Sequence, residues 1–307
     1  MPKRMSAPSI LGNSRVEIRL DPVSGVVTGL RNKRTGTEYL GGGPAEVFRL
    51  VYSTSEFHGA PADDPWSATT GTLVKGSRQV AVSKRFEKTA GGGRLEVAYD
   101  RLRLERRTIE VALRYTIELR DGDEETRWRL FLRNGGEGTV REAHFPLLSG
   151  LNPFDSLLMP NESGQRLPFP LDKLSDDIPV VSLEYPGRGS MQWFEYHSRE
   201  AGLYMASYDR GLDYTLLSFG RTGEGSPAGM WIVKYPFAPR GASWESPELA
   251  VGLHAGDWHW GADRYRAWLE TWVQKAEVSS KVREMIGGLR EVGIKASDGR
   301  VLNRYEA

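Results

Sequence analysis

The chain has 307 residues, and its 41 lysines and arginines against 40 aspartates and glutamates leave a formal net charge of +1. This length allows one large all-β domain or two ordinary domains, with a sizeable buried core. The balanced charge and the lack of basic runs give no sign of a nucleic-acid partner or a membrane surface. Because there is no cysteine, disulfides, thiolate catalysis and Cys-ligated zinc are excluded.

The sequence predicts the cellular location of the protein from its N-terminal segment and from its apolar runs. Residues 1–10 are polar, and no apolar run approaches the roughly 20 residues of a membrane-spanning helix. We therefore expect a soluble protein that, as encoded here, has no export signal and is cytoplasmic.

Strand-like alternation of apolar and polar residues dominates the chain from about residue 16 to residue 254. It is clearest over residues 109–119, where every second side chain is apolar, which predicts a strand with one buried and one solvated face. Turn signals at 21–25 and 121–123 separate successive strands. Because no helical period precedes residue 257, a parallel sheet built from βαβ units is excluded, and we predict an all-β fold, a large antiparallel sandwich.

Two excursions interrupt the strand pattern. Residues 147–179 are crowded with proline, glycine and asparagine, and residues 54–72 contain Trp66. Long loops on rigid scaffolds often carry binding residues, although a plain connection between sheets explains the first excursion equally well.

A helix is predicted after the strands end. Tyr265, Trp268, Leu269 and Trp272 fall at steps of three and four, and Asp257 is placed to cap the first turn. We therefore divide the chain into a sandwich at 1–255, an amphipathic linker helix at 256–277 and a short tail at 278–307.

Catalytic and metal-binding motifs are missing from the sequence. There is no G-x-S-x-G nucleophile elbow. Metal-ligand spacings do not occur among the five histidines, His58, His144, His197, His254 and His259. We expect no metal and no cofactor, and we assign no catalytic residue.

One strand combines aromatic, acidic and imidazole side chains on a single face. Alternation places Trp193, Glu195 and His197 on one side of a strand at 191–197. Sugars suit such surfaces, because their C–H faces stack on indole rings while their hydroxyls bond to carboxylates. The alternative is that Trp193 belongs to the core and the two polar residues form a satisfied pair at a domain interface. We predict Trp193, Glu195 and His197 as substrate contacts, together with Trp66 and Asp209. Asp209 is expected to stabilise a turn in the first place and to contact the ligand in the second.

Four segments in order resemble a known family. They are residues 16–39, Met-Pro-Asn-Glu-Ser-Gly at 159–164, a stretch at 185–209 that includes Met-Gln-Trp at 191–193, and Gly-Asp-Trp at 256–258 with Tyr-Arg-Ala-Trp at 265–268. This pattern is similar to the galactose-mutarotase-like β-supersandwich at the front of bacterial glycoside hydrolases of the α-galactosidase and endo-α-N-acetylgalactosaminidase type. The resemblance implies that the terminal helix leads into a (β/α)8 barrel that holds the catalytic carboxylates.

The sequence stops where a first barrel strand would begin, near residues 292–302. Glycosidases need two carboxylates roughly 5–10 Å apart, and in this clan the barrel supplies both. We therefore expect no catalysis by this chain alone. The resemblance implies carbohydrate and a barrel domain or subunit as partners, or self-association through the C-terminal region.

Three functions remain open. The first is an accessory domain that supports the barrel of a glycoside hydrolase and lends a loop to its substrate cleft. The second is a freestanding carbohydrate-binding module, which predicts an exposed Trp66 or Trp193 on a concave face. The third is an aldose mutarotase or epimerase, for which Glu195 and His197 are the only close acid and base, two apart on one strand and poorly placed to flank a sugar.

Overall fold

The computed structural model describes residues 9–42, 45–54, 71–161, 164–175, 178–221, 227–274, 290–295 and 301–306. Two compact units divide the chain, Met1–Trp268 and Leu269–Ala307. Within the second unit, strands β22 and β23, defined below, form an antiparallel hairpin. Trp66 lies outside the described residues.

The first unit consists mainly of short strands. Its first half contains β1 (Ser9–Gly12), β2 (Val16–Leu20), β3 (Val27–Asn32), β4 (Arg49–Ser53), β5 (Thr72–Lys75), β6 (Ser83–Thr89), β7 (Gly92–Tyr99), β8 (Leu102–Leu104), β9 (Arg107–Ile109), β10 (Val111–Arg120) and β11 (Glu125–Asn134).

The second half of the chain adds further strands and two helices. In order they are β12 (Thr139–Ser149), β13 (Ser156–Met159), β14 (Gln165–Pro168), α1 (Pro170–Lys173), β15 (Val180–Tyr185), β16 (Trp193–His197), β17 (Ala201–Tyr208), β18 (Thr215–Arg221), β19 (Ala228–Lys234), β20 (Ser243–Glu245), β21 (Glu248–Ala255), α2 (His259–Leu269), β22 (Arg290–Lys295) and β23 (Val301–Glu306).

Two antiparallel sheets form a sandwich, as the alternating sequence predicts. The larger sheet has the order β14-β13-β16-β17-β21-β11-β10-β7-β6, with β20 paired to β11. The smaller sheet has the order β15-β18-β19-β12-β4-β5. The prediction of an all-β antiparallel sandwich followed by a helix is therefore confirmed.

Aromatic side chains join the two sheets in one core. Phe145 of the smaller sheet packs on Tyr115 and Trp128 of the larger one, with ring centroids 5.7 and 5.9 Å apart. Tyr196 and Phe219 make a similar contact at 5.1 Å. All five rings are fully buried, so the inner faces of these strands are occupied by core packing.

Buried tyrosines predict unfolding in alkali. Burial raises the pKa of Tyr196 and of Tyr265 to about 12, and it raises the pKa of Tyr115 and of Tyr204 well above 10.0. The stability that these protonated phenols contribute is complete below pH 10 and is lost as the pH rises from about 10 toward 12. We expect cooperative unfolding in that window, seen as coincident changes in tyrosinate absorbance and circular dichroism. Ionisation of these tyrosines near pH 10 with an intact fold would contradict the prediction.

Helix α2 covers the outer face of the larger sheet. Leu203 and Met205 of β17 point into the core, so Tyr204 and Tyr208 occupy its other face. Tyr204 meets Trp260 of the helix edge to face, and Tyr208 stacks on Trp268 with centroids 4.9 Å apart. The sheet is therefore covered on both sides along β17.

Candidate functional site

Three of the predicted contact residues lie together on β16, beneath or beside helix α2. Trp193, Glu195 and His197 share the outer face of this strand, as the alternation predicts, but their exposed fractions are only 2%, 0% and 3%. The expectation of an exposed ring is therefore not met at Trp193, because helix α2 and its preceding turn lie over this face.

Glu195 is paired with a histidine that the sequence analysis did not single out. Its Oε1 lies 3.1 Å from Nε2 of His254 on β21, and both side chains are 0% exposed. His254 stacks on Trp260 with centroids 4.4 Å apart and ring planes 4° from parallel. The Nδ1 of His254 lies 3.3 Å from the Ala255 carbonyl. Among the described residues, neither Nε2 of His254 nor either carboxylate oxygen of Glu195 has a hydrogen-bond partner, so the two groups are in close contact without a formed hydrogen bond.

Glycines allow the helix to approach this pair. A Cβ on Gly261 of α2 would lie 2.3 Å from Glu195 Oε2 and 2.7 Å from the Tyr204 ring. A Cβ on Gly252 would lie 2.6 Å from the Trp260 ring, and one on Gly202 would lie 2.2 Å from His254 Nε2. Any side chain at these positions would separate the helix from the sheet or split the pair.

Replacing Gly261 with alanine tests this close approach. Overpacking against the buried Glu195 carboxylate and the buried Tyr204 ring costs up to about 3 kcal/mol, while alanine gains about 1 kcal/mol of helix propensity. We expect a net loss near 2 kcal/mol in urea unfolding. The matched control is Gly91→Ala, because a Cβ there meets no atom within 4 Å. Equal stability of the two variants would refute the close contact.

A second polar group lies on the covered face, which is the outer face of the larger sheet beneath helix α2. Glu125 of β11 accepts a hydrogen bond from the Tyr208 hydroxyl at 2.7 Å and a bidentate pair from Arg127 at 2.8 and 3.2 Å. Burial raises the pKa of this carboxyl, against the opposing charge of Arg127. The Arg127 guanidinium also lies 4.5 Å from the centre of the Tyr208 ring. Glu125 is thus a fully partnered group that anchors the sheet beneath the helix.

Trp193 borders a cavity although its own ring is buried. Its indole nitrogen lies 3.4 Å from the Met191 sulfur, and its ring packs on Tyr204 at 5.8 Å. The cavity measures about 440 Å³ and is lined by Leu158, Met159, Pro160, Gly164, Arg166, Ser190, Met191, Trp193 and Trp258.

Asp209 lies apart from the β16 residues. It follows β17, is 6% exposed, and its Oδ2 accepts a hydrogen bond from Lys234 at 2.6 Å. Its Oδ1 accepts the Gly211 N–H at 2.9 Å, which is the turn contact that the sequence predicts. Burial lowers the pKa of Lys234, and the Asp209 carboxylate opposes that shift. The pair forms the inner wall of a separate cleft.

The described residues give no indication of a metal site or a membrane span. No group of three or more histidine, aspartate or glutamate side chains in the described ranges is arranged to hold a metal ion. Within the same ranges, neither helix has the length and apolar character needed to cross a bilayer.

The two sheets define a galactose-mutarotase-like β-supersandwich. No protein-family model matches the chain, and comparison with curated proteins gives no match. Among solved structures, a galactose mutarotase-like protein from Lactobacillus casei superposes with a TM-score of 0.50 and 14% identity, covering 81% of this chain and 100% of that one. The resemblance inferred from the sequence is therefore confirmed at the level of the fold.

Two larger glycosidases contain a similar fold. An α-mannosidase from Enterococcus faecalis has a TM-score of 0.55 and 8% identity over 86% of this chain. The α-N-acetylgalactosaminidase NagBb from Bifidobacterium bifidum has a TM-score of 0.55 and 11% identity over 86% of this chain. This chain spans only 31% and 39% of their lengths.

Proposed function

We propose that this chain is a carbohydrate-associated accessory domain of a glycoside hydrolase and that it performs no catalysis alone. The observation that carries this proposal is the covered acid and base pair. A general acid or base must come within hydrogen-bond reach of the sugar. Glu195 and His254 are 0% exposed beneath helix α2, so neither can reach a sugar in this arrangement.

The mutarotase or epimerase alternative needs an acid and a base that face a ligand, and the sequence gives these roles to Glu195 and His197, which are 0% and 3% exposed. His254, which lies beside Glu195, is equally buried. Trp260 is stacked against His254 at 4.4 Å, a separation that leaves no room for a sugar between them. Gly261 similarly lies against Glu195. Catalysis of this kind would require helix α2 to leave the sheet, and the four aromatic contacts of Trp260, Tyr265 and Trp268 with the sheet oppose that movement.

The proposed partner is a catalytic (β/α)8 barrel, present as a domain or as a separate subunit. Similar folds occur in glycosidases that are more than twice as long as this chain. In this proposal residues 1–255 form the sandwich, 256–277 form the linker helix, and 278–307 form a tail in which the barrel begins. Self-association through the C-terminal region is the alternative to a barrel partner.

Activity assays on the purified chain test this proposal. We expect no hydrolysis of chromogenic α- and β-glycosides and no acceleration of glucose or galactose mutarotation measured by polarimetry. Glu195→Gln serves as the control, because it removes the acid or base with little change of shape. Turnover that disappears in this variant would show that the covered pair is catalytic and that the proposal is wrong.

A further inference from the structure

A cleft of about 670 Å³ opens beside the Asp209–Lys234 pair. It is formed by the turn after β17, the end of β19 and the segment around β20. Its lining combines four aromatic rings with acidic side chains, and the main members are Asp213, Tyr214, Tyr235, Phe237, Trp244 and Glu245.

Three aromatic rings of this cleft form a contiguous row, and two of the three are exposed. Tyr235 lies between Tyr214 and Phe237, with centroids 5.4 and 6.1 Å away. The Tyr235 and Phe237 ring planes are within 24° of parallel. Phe237 is 57% exposed and Tyr214 is 43% exposed. Neither ring is needed to fill the core, so the cleft offers apolar ring surface to a ligand.

The backbone holds Phe237 in a conformation that costs energy. Its φ is +40°, in the left-handed region that disfavours side chains of this size. The next residue, Ala238, is fixed by two backbone hydrogen bonds with Val140 of β12, at 2.8 and 3.0 Å. The sheet therefore imposes a strained turn that directs a large apolar ring toward solvent. Strain held in this way is typical of binding positions.

Polar groups line the wall next to the rings. Lys234 donates to Asp209 and to the Thr215 hydroxyl, both at 2.6 Å. Asp213 and Glu245 add carboxylates that are exposed to solvent. Asp209 is balanced by Lys234, and Glu245 lies 3.8 Å from Arg129, so these groups leave one net negative charge, that of Asp213. This charge disfavours an anionic ligand, while the carboxylate oxygens can accept hydrogen bonds from hydroxyl groups.

We propose that this cleft binds a neutral oligosaccharide, with pyranose rings stacked on Phe237, Tyr235 and Tyr214 and hydroxyls bonded to the carboxylates. Apolar ring faces beside fixed polar groups match the two kinds of surface on a pyranose. This inference rests on the proposed carbohydrate association, and it adds a site of binding without turnover, distinct from the covered pair on β16.

Glycan arrays on the whole chain provide the test. One array would carry neutral oligosaccharides, and the other would carry the same cores with uronic or sialic acid. We expect binding to neutral glycans only. The best neutral glycan is then titrated calorimetrically against Phe237→Ala and Tyr214→Ala, and we expect each to weaken binding roughly tenfold, the effect of losing about one aromatic contact.

Phe169→Ala is the matched control. Phe169 is also exposed and also has a positive φ, but it lies at the start of α1 and does not line the cleft. We expect the Phe169→Ala variant to bind the neutral glycan as tightly as the unmodified chain does, and we expect similar thermal stability for all three variants. Absence of glycan binding, a preference for acidic glycans, or affinity unchanged by the cleft variants would overturn the inference. None of these outcomes bears on catalysis, which the activity assays decide separately.

Discussion

Replacing Glu195 with alanine is expected to lower the free energy of unfolding by about 1–3 kcal/mol, because it leaves the buried His254 imidazole without the polar group that it faces. His254 would remain beneath Trp260, with its Nε2 facing a void instead of a carboxylate. Urea unfolding followed by tryptophan fluorescence measures the loss.

Two variants make this result specific to the buried pair. Glu195→Gln keeps the shape and a polar oxygen, so we expect it to lose less stability than the alanine variant. Glu200→Ala removes an exposed carboxylate from the turn between β16 and β17, and we expect a change within about 0.5 kcal/mol. If Glu195→Ala lowered the free energy of unfolding no more than Glu200→Ala does, the Glu195–His254 pair would contribute nothing to the packing of helix α2.

Truncation of Trp193 to alanine is expected to cost more stability. Deleting a buried indole costs about 3–5 kcal/mol, and Trp193 is 2% exposed and packed against Tyr204. We expect this loss in urea unfolding, together with unchanged affinity of the folded protein for neutral glycans. The stability measurement separates a core role from the binding role that the sequence alone suggests.

The control for Trp193 is an exposed aromatic residue. Phe86→Ala removes a ring that is 59% exposed on β6, and we expect little change in stability. A stable Trp193→Ala protein that no longer binds glycans would reverse the assignment and make the cavity beside Met159 and Trp258 the binding site.

The fold is largely predictable from the sequence because burial on one side of a strand leaves a period of two. Residues 109–119 illustrate this, since Tyr115 and Ile117 of β10 point into the core as the alternation requires. The helix is equally evident from its apolar spacing, but it ends at Leu269, ahead of Trp272 of the predicted stripe.

The contacts of the covered face are harder to predict from sequence. Glu195 meets His254 because β17 lies between their strands, with Gly202 opposite both His197 and His254. Local patterns carry no information on such pairing between distant strands. Nor does the spacing of Trp193, Glu195 and His197 indicate that a helix from the end of the domain covers them.

The aromatic cleft is hard to predict for a related reason. Tyr214 and Phe237 come from different loops, and only the strand pair β18 and β19 brings them together. One local signal is present, because Tyr235 and Phe237 alternate with prolines in the run Tyr-Pro-Phe-Ala-Pro at 235–239. Large apolar residues within a proline-rich turn have no strand or helix to bury them, so they indicate an exposed aromatic surface.

The three glycines at 202, 252 and 261 have a consequence for comparing proteins of this fold. A helix can lie this close to the sheet only where those positions lack a side chain. A relative that keeps an open outer face for chemistry has no such requirement and can carry larger residues there. The residue types at these three positions should therefore divide supersandwich chains into those whose outer face is covered by a helix and those whose outer face is open.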